Sequence, residues 1–311
     1  MSRGRKRNFE ASHTERHVMK RKGIILAGGT GTRLHPSTIS VSKQLMPIYD
    51  KPMIYYPLSV LIQAGIRDIM IITTPNDRAV FENLLSDGSQ WGLNLTYATQ
   101  PKPEGIAQAL IIAEDFLDGG PSALILGDNL FFGSNFIKAV TPTDSENAGA
   151  TVFGYQVEDP SAYGVVGFDS ERNVISIIEK PKVPASSYAV TGLYFYDERA
   201  PEFAKQIKPS ERGELEITAL NEIYLKNGDL KVVLLDSDTT WLDTGTHRSL
   251  FEAAEFVKII ESRQGVRICC PEVESFKQGW ISADTLLNLA KPLAKSGYGN
   301  YLKRIALDTR H

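Results

Sequence analysis

The stretch GIILAGGTGTRLHPSTISVSKQLMPIYDKP, residues 23–52, decides how the chain is read. Its apolar start, following Lys22, has the continuous hydrophobic run of a strand buried on both faces. Gly28, Gly29, Thr30, Gly31 and Thr32 follow, and glycines there let backbone N–H groups approach phosphate oxygens closely. Arg33 then offers a planar fork for phosphate oxygens, and Lys43 a compact positive charge. A Walker loop would need a lysine spaced after Gly28, and none stands there. A dinucleotide loop would need a third glycine where Leu34 sits, and Pro36 argues against a helix starting directly after the turn. Neither motif fits; a tight turn without a ligand is the alternative, and the two cations beside the glycines favour a polyphosphate site.

Working outward, apolar strands alternate with helices through the first half. KGIILA (22–27), DIMIITT (68–74) and SALILG (122–127) read as buried strands, and LNLTYA (93–98) as an alternating one. Helical patterns occupy 53–65, 77–85 and 105–117. This is an α/β chain with a mostly parallel sheet covered on both faces. In the second half, strands at 149–157, 164–169, 174–181 and 188–197 follow one another with few helices, so antiparallel pairs extend the sheet. A helix over 214–228 and a strand at 231–235 follow, and from residue 247 the chain is mostly helical. The division read from this is 1–18 as a disordered extension and 19–260 as one α/β domain. Residues 261–311 form a helical segment packed on that domain or at a subunit interface, with Leu286, Leu287, Leu289 and Leu293 as its apolar residues.

The 311 residues are 42% hydrophobic and 23% charged, enough for a large core, and the formal net charge is −3. That balance speaks against a nucleic-acid partner. No apolar run approaches the ~20 residues that cross a bilayer. Adjacent Cys269 and Cys270 suit reduced thiols of a cytoplasmic protein better than a strain-free disulfide.

The motif LAGGTGTRLHPST followed by SKQLMPIYDKPM resembles the signature of the sugar-phosphate nucleotidyltransferases, the nucleotide-sugar pyrophosphorylases. TQPKPEGIAQA, LGDNLFFG, GVVGFD, EKP, VTGLYFYD, KPSERGELEIT and WLDTGTH occur in that family's order, covering residues 20 to about 302. The resemblance implies a Rossmann-like three-layer fold with a mixed, mostly parallel sheet and a helical C-terminal appendage. It implies attack of glucose 1-phosphate on the α-phosphorus of dTTP, giving dTDP-glucose and pyrophosphate. Bringing two anions together is the obstacle, so catalysis is positioning and charge neutralisation.

Residue by residue, the resemblance gives residues 28–32 and Arg33 to the triphosphate and Lys43 to the transferred phosphoryl group. Asp128 and Asp243 become the ligands of Mg²⁺, a hard cation that takes few protein oxygens. Gln100 and Gly105 read the base, with Gln44 near the base or deoxyribose. Glu179 binds sugar hydroxyls and Lys180 the sugar phosphate, while Asn129, Gly164 and Val190 meet the hexose. Arg212 and Trp241 help to close the site. A homotetramer and feedback by a dTDP-sugar are implied by the same analogy. Uracil presents the same hydrogen-bonding edge as thymine, so UTP stays open as an alternative. A non-catalytic nucleotide-sugar sensor is the other reading, and the presence of Arg33, Lys43, Asp128 and Asp243 together favours an enzyme.

Overall fold

The computed structural model describes residues 19–141 and 148–308; the expected extension at 1–18 lies outside them. The first half delivers β1 (Lys22–Ala27), the short hairpin β2 (Pro47–Ile48) and β3 (Lys51–Pro52), α1 (Tyr55–Gln63), β4 (Asp68–Thr73), α2 (Arg78–Leu85) and β5 (Asn94–Thr99). Next come α3 (Gln108–Ile112), α4 (Glu114–Leu117), β6 (Ser122–Leu126), β7 (Asn129–Phe132) and α5 (Ser134–Val140). The expected single helix over 105–117 is broken. It starts only at Gln108, because the preceding residues are held by outside backbone partners (Ala107 N–H to Leu215 O, 3.1 Å), and it is interrupted at Ala113.

The second half supplies β8 (Ala150–Gln156), β9 (Gly164–Phe168), β10 (Val174–Glu179), β11 (Tyr188–Tyr196), α6 (Ala200–Gln206), α7 (Ile217–Lys226) and β12 (Leu230–Leu234). β13 (Thr240–Asp243), α8 (His247–Gln264), α9 (Pro271–Lys277), α10 (Ala283–Ala290) and α11 (Gly297–Asp308) complete it. Nine strands form one mixed sheet along the path β10-β9-β11-β6-β1-β4-β5, with β8 on β11 and β12 on β8. β6, β1, β4 and β5 are mutually parallel, and β11 joins β6 antiparallel, as the change of pattern between the halves predicts.

Strand alternation splits the core between the two faces of the sheet. Ile25, Ile71 and Ile125 pack with α1, whereas Ile24, Ile72 and Leu124 pack with α3 and α7. Each such side chain, fully buried, contributes about 1.5–3 kcal/mol of transfer free energy. α9, α10 and α11 share a smaller core that contains Leu286, with Leu287 and Leu289 against it and Leu293 partly exposed. This group docks on the same chain. Gln278 donates to the Ile62 carbonyl at 3.1 Å, and Trp280 closes over Gly92 and Arg67. Cys269 and Cys270 are free and buried.

Candidate active site

The strand ends of β1, β4 and β6 open on one edge, where open α/β sheets bind ligands. The turn after β1 rests on Gly31, whose φ of 62° suits glycine, and Thr38 ties it down by donating to the Gly31 carbonyl at 2.7 Å. A single tight turn over Thr32–Leu34 then buries Leu34 completely and leaves Arg33 exposed. That is why the position of a third glycine can hold leucine: its side chain faces the core.

A cavity of about 350 Å³ lies against this turn, lined among others by Gly29, Arg33, Lys43, Gln44, Gln100 and Asp128. Gly28 is not on its wall. It is buried, and a Cβ there would fall 2.6 Å from Gln100 Oε1, so this glycine makes room for Gln100 instead. Gln100 donates both its amide hydrogens, to Gly105 O at 3.2 Å and Gln108 Oε1 at 2.6 Å, so its remaining function toward a ligand is as an acceptor. Gln44 is buried against Gly127, accepts from Ser42 Oγ at 2.7 Å, and lines the same cavity.

A smaller cavity of about 150 Å³ adjoins it, and Arg33, Ile106, Leu126 and Asp128 line both. The expected sugar-side residues Asn129, Gly164, Glu179, Lys180, Val190 and Trp241 all stand on its wall. Glu179 accepts from Thr218 Oγ1 at 2.6 Å, and Asn129 and Trp241 are bonded to each other. Asn129 Oδ1 accepts from the Trp241 indole N–H at 2.6 Å and from Gly192 N–H at 3.1 Å, which makes it part of the frame. Arg212 is not on the wall; it donates to Glu179 at 3.3 Å and to Glu216 at 2.8 Å. Lys180 pairs with Glu179 at 3.3 Å and is 46% exposed, so it can turn to a ligand.

The charged centre lies where the cavities meet. Lys43, in a turn anchored by Ile54 N–H to the Gln44 carbonyl (2.9 Å), forms an ion pair with Asp128 at the end of β6. Burial alone would raise the Asp128 carboxyl, but the Lys43 ammonium and the hydrogen bonds from its own backbone and Asn129 hold it below the usual carboxylate range. Asp243 reaches the same place because β13 pairs with β7 (Asp243 opposite Asn129) and Thr244 N–H donates to the Asp128 carbonyl at 3.1 Å. Burial and the neighbouring Asp128 charge push Asp243 up to about 6, against the pull of Lys43 and Arg33. Two oxygen-donor carboxylates in mutual repulsion suit a hard divalent cation that takes its other ligands from substrate and water. Among the described residues no group of three or more His, Cys, Asp or Glu side chains that could hold a metal ion occurs.

Sequence reasoning missed Tyr163, Thr218 and the Thr191–Gly192 pair on the smaller cavity, and Pro103 and Glu214 on the larger. Tyr194 is buried and also edges the smaller cavity. A third cavity of about 340 Å³, between α8 and α11, contains none of the residues the sequence points to.

The nucleotidyl transferase family profile matches residues 22–259. A glucose-1-phosphate thymidylyltransferase of Xanthomonas campestris pv. campestris is 58% identical over 289 residues, 93% of this chain and 98% of that protein. That of Mycobacterium tuberculosis is 52% identical over 281 residues, 90% and 97% of the two chains. A solved structure of UDP-glucose pyrophosphorylase with UDP-glucose shares the fold at 24% identity and TM-score 0.66, over 78% of this chain and 99% of its own. The chain belongs to the nucleotidyl transferase family.

Proposed function

We propose that this protein transfers dTMP from dTTP to glucose 1-phosphate, releasing pyrophosphate. The observation that carries the reading is the pair of joined cavities with Arg33 and Asp128 at their junction. One receives the nucleotide and the other the sugar phosphate. The names of relatives 52–58% identical over nine-tenths of the chain support the choice of substrates.

A phosphate oxygen of glucose 1-phosphate attacks the α-phosphorus as the bond to the β-phosphate breaks, and the electron pair leaves with pyrophosphate. Arg33 faces the departing group and Lys43 the α-phosphoryl oxygens, while residues 29–32 line the cradle. Lys180 holds the sugar phosphate, and Glu179, with Gly164 and Val190 beside it, meets the hexose. Asp128 and Asp243 would hold Mg²⁺, which when bound neutralises charge on the reacting phosphates. No protein nucleophile is used; Cys269 and Cys270 are buried, and burial pushes the Cys269 thiol up to about 12.

For the base, Gln100 supplies an acceptor suited to the thymine N3–H. Gly105 (φ 109°) has no room for a Cβ, which would fall 2.4 Å from the Leu215 backbone. Gly105→Ala should displace the loop and lower kcat/KM for dTTP by about 10²-fold. Steady-state kinetics checks this, and a loss below threefold would take the loop away from the base.

A homotetramer with feedback by a dTDP-sugar belongs to the same reading. Phe251, 70% exposed, and Ile259, 46% exposed, lie eight residues apart on α8 and favour a covered helix face. A cytoplasmic location follows from the substrates; among the described residues no helix is long and apolar enough to cross a membrane.

The deciding experiment is pyrophosphate release from glucose 1-phosphate and Mg²⁺ with each nucleoside triphosphate separately. Release is expected to be fastest with dTTP and absent without the divalent ion. Fastest release with UTP would overturn the base assignment, and none with any nucleotide would leave a sensor.

A further inference from the structure

Residues 214–218 run from one cavity to the other. Glu214 lines the larger, and Ile217 and Thr218 line the smaller. Between them Leu215 is bonded through its backbone to the base-side loop. Its N–H donates to the Glu104 carbonyl at 2.7 Å, and its carbonyl accepts from Ala107 N–H at 3.1 Å. The missing Cβ of Gly105 lets these two stretches of backbone touch. They cannot shift independently without losing both hydrogen bonds.

Glu216 ties the next residue to the sugar side. Its Oε1 accepts from Ser210 Oγ at 2.7 Å and from Arg212 Nη2 at 2.8 Å. The same Arg212 nitrogen donates to Glu179 Oε1 at 3.3 Å, a longer bond than the one to Glu216. The Glu216 side chain is 14% exposed and Arg212 43%, so the carboxylate is the fixed member and the guanidinium the mobile one. Glu216 lines neither cavity.

The geometry points to Glu216 as a positioning residue that couples the two substrate sites, a role that rests on the activity proposed above. A sugar phosphate entering the smaller cavity draws Arg212 from the weaker Glu179 bond toward its own oxygens. Glu216 keeps hold of Arg212 through that exchange, so the 210–216 segment becomes tied to the bound phosphate. Leu215 passes the constraint to the base-side loop. Sugar phosphate thereby tightens nucleotide binding, and by linkage the nucleotide tightens sugar phosphate equally.

The test uses the full chain and α,β-methylene-dTTP, whose α–β bridge is not cleaved in the reaction. Calorimetry gives its Kd with and without saturating glucose 1-phosphate. In the wild type the sugar phosphate should tighten the analogue about tenfold. Glu216→Ala should bind the analogue alone within about twofold of wild type yet show less than about a twofold enhancement. Glu216→Gln, which keeps an acceptor oxygen for Arg212, should recover part of the effect, and Ser210→Ala should fall between. A shift in Tm with the enhancement intact would mean a merely structural role and overturn the proposal. So would a wild type without enhancement. If the wild type released pyrophosphate normally in either case, only the coupling role would fall. Failure of the wild type to bind the analogue at all would overturn the proposed activity, and this role with it.

Discussion

Lys43→Met is expected to lower kcat by about 10³-fold, the scale seen when one donor to developing transition-state charge is removed. Lys43 is the cation paired with Asp128 at the junction of the two cavities, where the proposed reaction would bring the α-phosphoryl group. Methionine preserves much of the aliphatic stem and removes only the charge. The loss of the ammonium also strips Asp128, 13% exposed, of the partner that holds its carboxyl low. In the wild type that pairing stabilises the folded state at neutral pH, and the contribution disappears only as pH falls through the depressed carboxyl value. In the variant the ionised Asp128 has lost its own cation and faces Asp243 with only Arg33 left to offset the charges, which costs about 3 kcal/mol for a buried pair broken on one side. The Tm deficit should therefore be largest near pH 7.5 and shrink toward pH 4 as the carboxyls take up protons. Steady-state turnover and thermal unfolding across that range check both halves. A kcat within tenfold of wild type would remove Lys43 from phosphoryl transfer.

The parts of this molecule legible in the sequence are those whose physics is local. Continuous apolar runs such as 22–27 and 122–126 mark strands buried on both faces, and they form the parallel centre. Glycines before an arginine mark a tight turn without reference to anything distant, and a cavity does lie against that turn. The Lys43–Asp128 pair spans 85 residues of sequence, so only the order of family motifs put the two together. Asn129 shows the limit. As a residue type it is equally suited to a hydroxyl of a ligand or to the frame, and its partners Gly192 and Trp241 lie 63 and 112 residues away. Gly28 was legible as a close approach, but what approaches is Gln100. Tyr163 and Thr218 carry no local signal at all, since each reaches the smaller cavity only because of how β9 and α7 are placed around it.

Asp243→Asn should cut turnover by about 10²-fold or more while making the metal-free protein more stable, an opposition that a structural aspartate would not produce. Among the described residues no side-chain cation forms an ion pair with Asp243 as Lys43 does with Asp128; burial and Asp128 push it up to about 6 from an ordinary 3.8, against the weaker pull of Lys43 and Arg33. A folded-state value above the unfolded one means that ionising the group costs stability. The cost is fully present above pH 6 and is relieved as pH falls from about 6 toward 4, where the folded protein holds a proton that the unfolded chain has released. Converted at about 1.4 kcal/mol per unit and discounted because Asp243 shares its titration with Asp128, the cost is about 1–2 kcal/mol. Asparagine keeps the shape and removes the charge, so with a chelator present at pH 8 the variant should melt a few degrees above wild type. At pH 5 the two should converge. Adding Mg²⁺ should raise the Tm of the wild type and leave the variant nearly unmoved, because the cation neutralises a repulsion that the variant lacks. A variant less stable than wild type in chelator at pH 8, with turnover preserved, would identify Asp243 as a structural residue and leave Asp128 as the lone metal ligand.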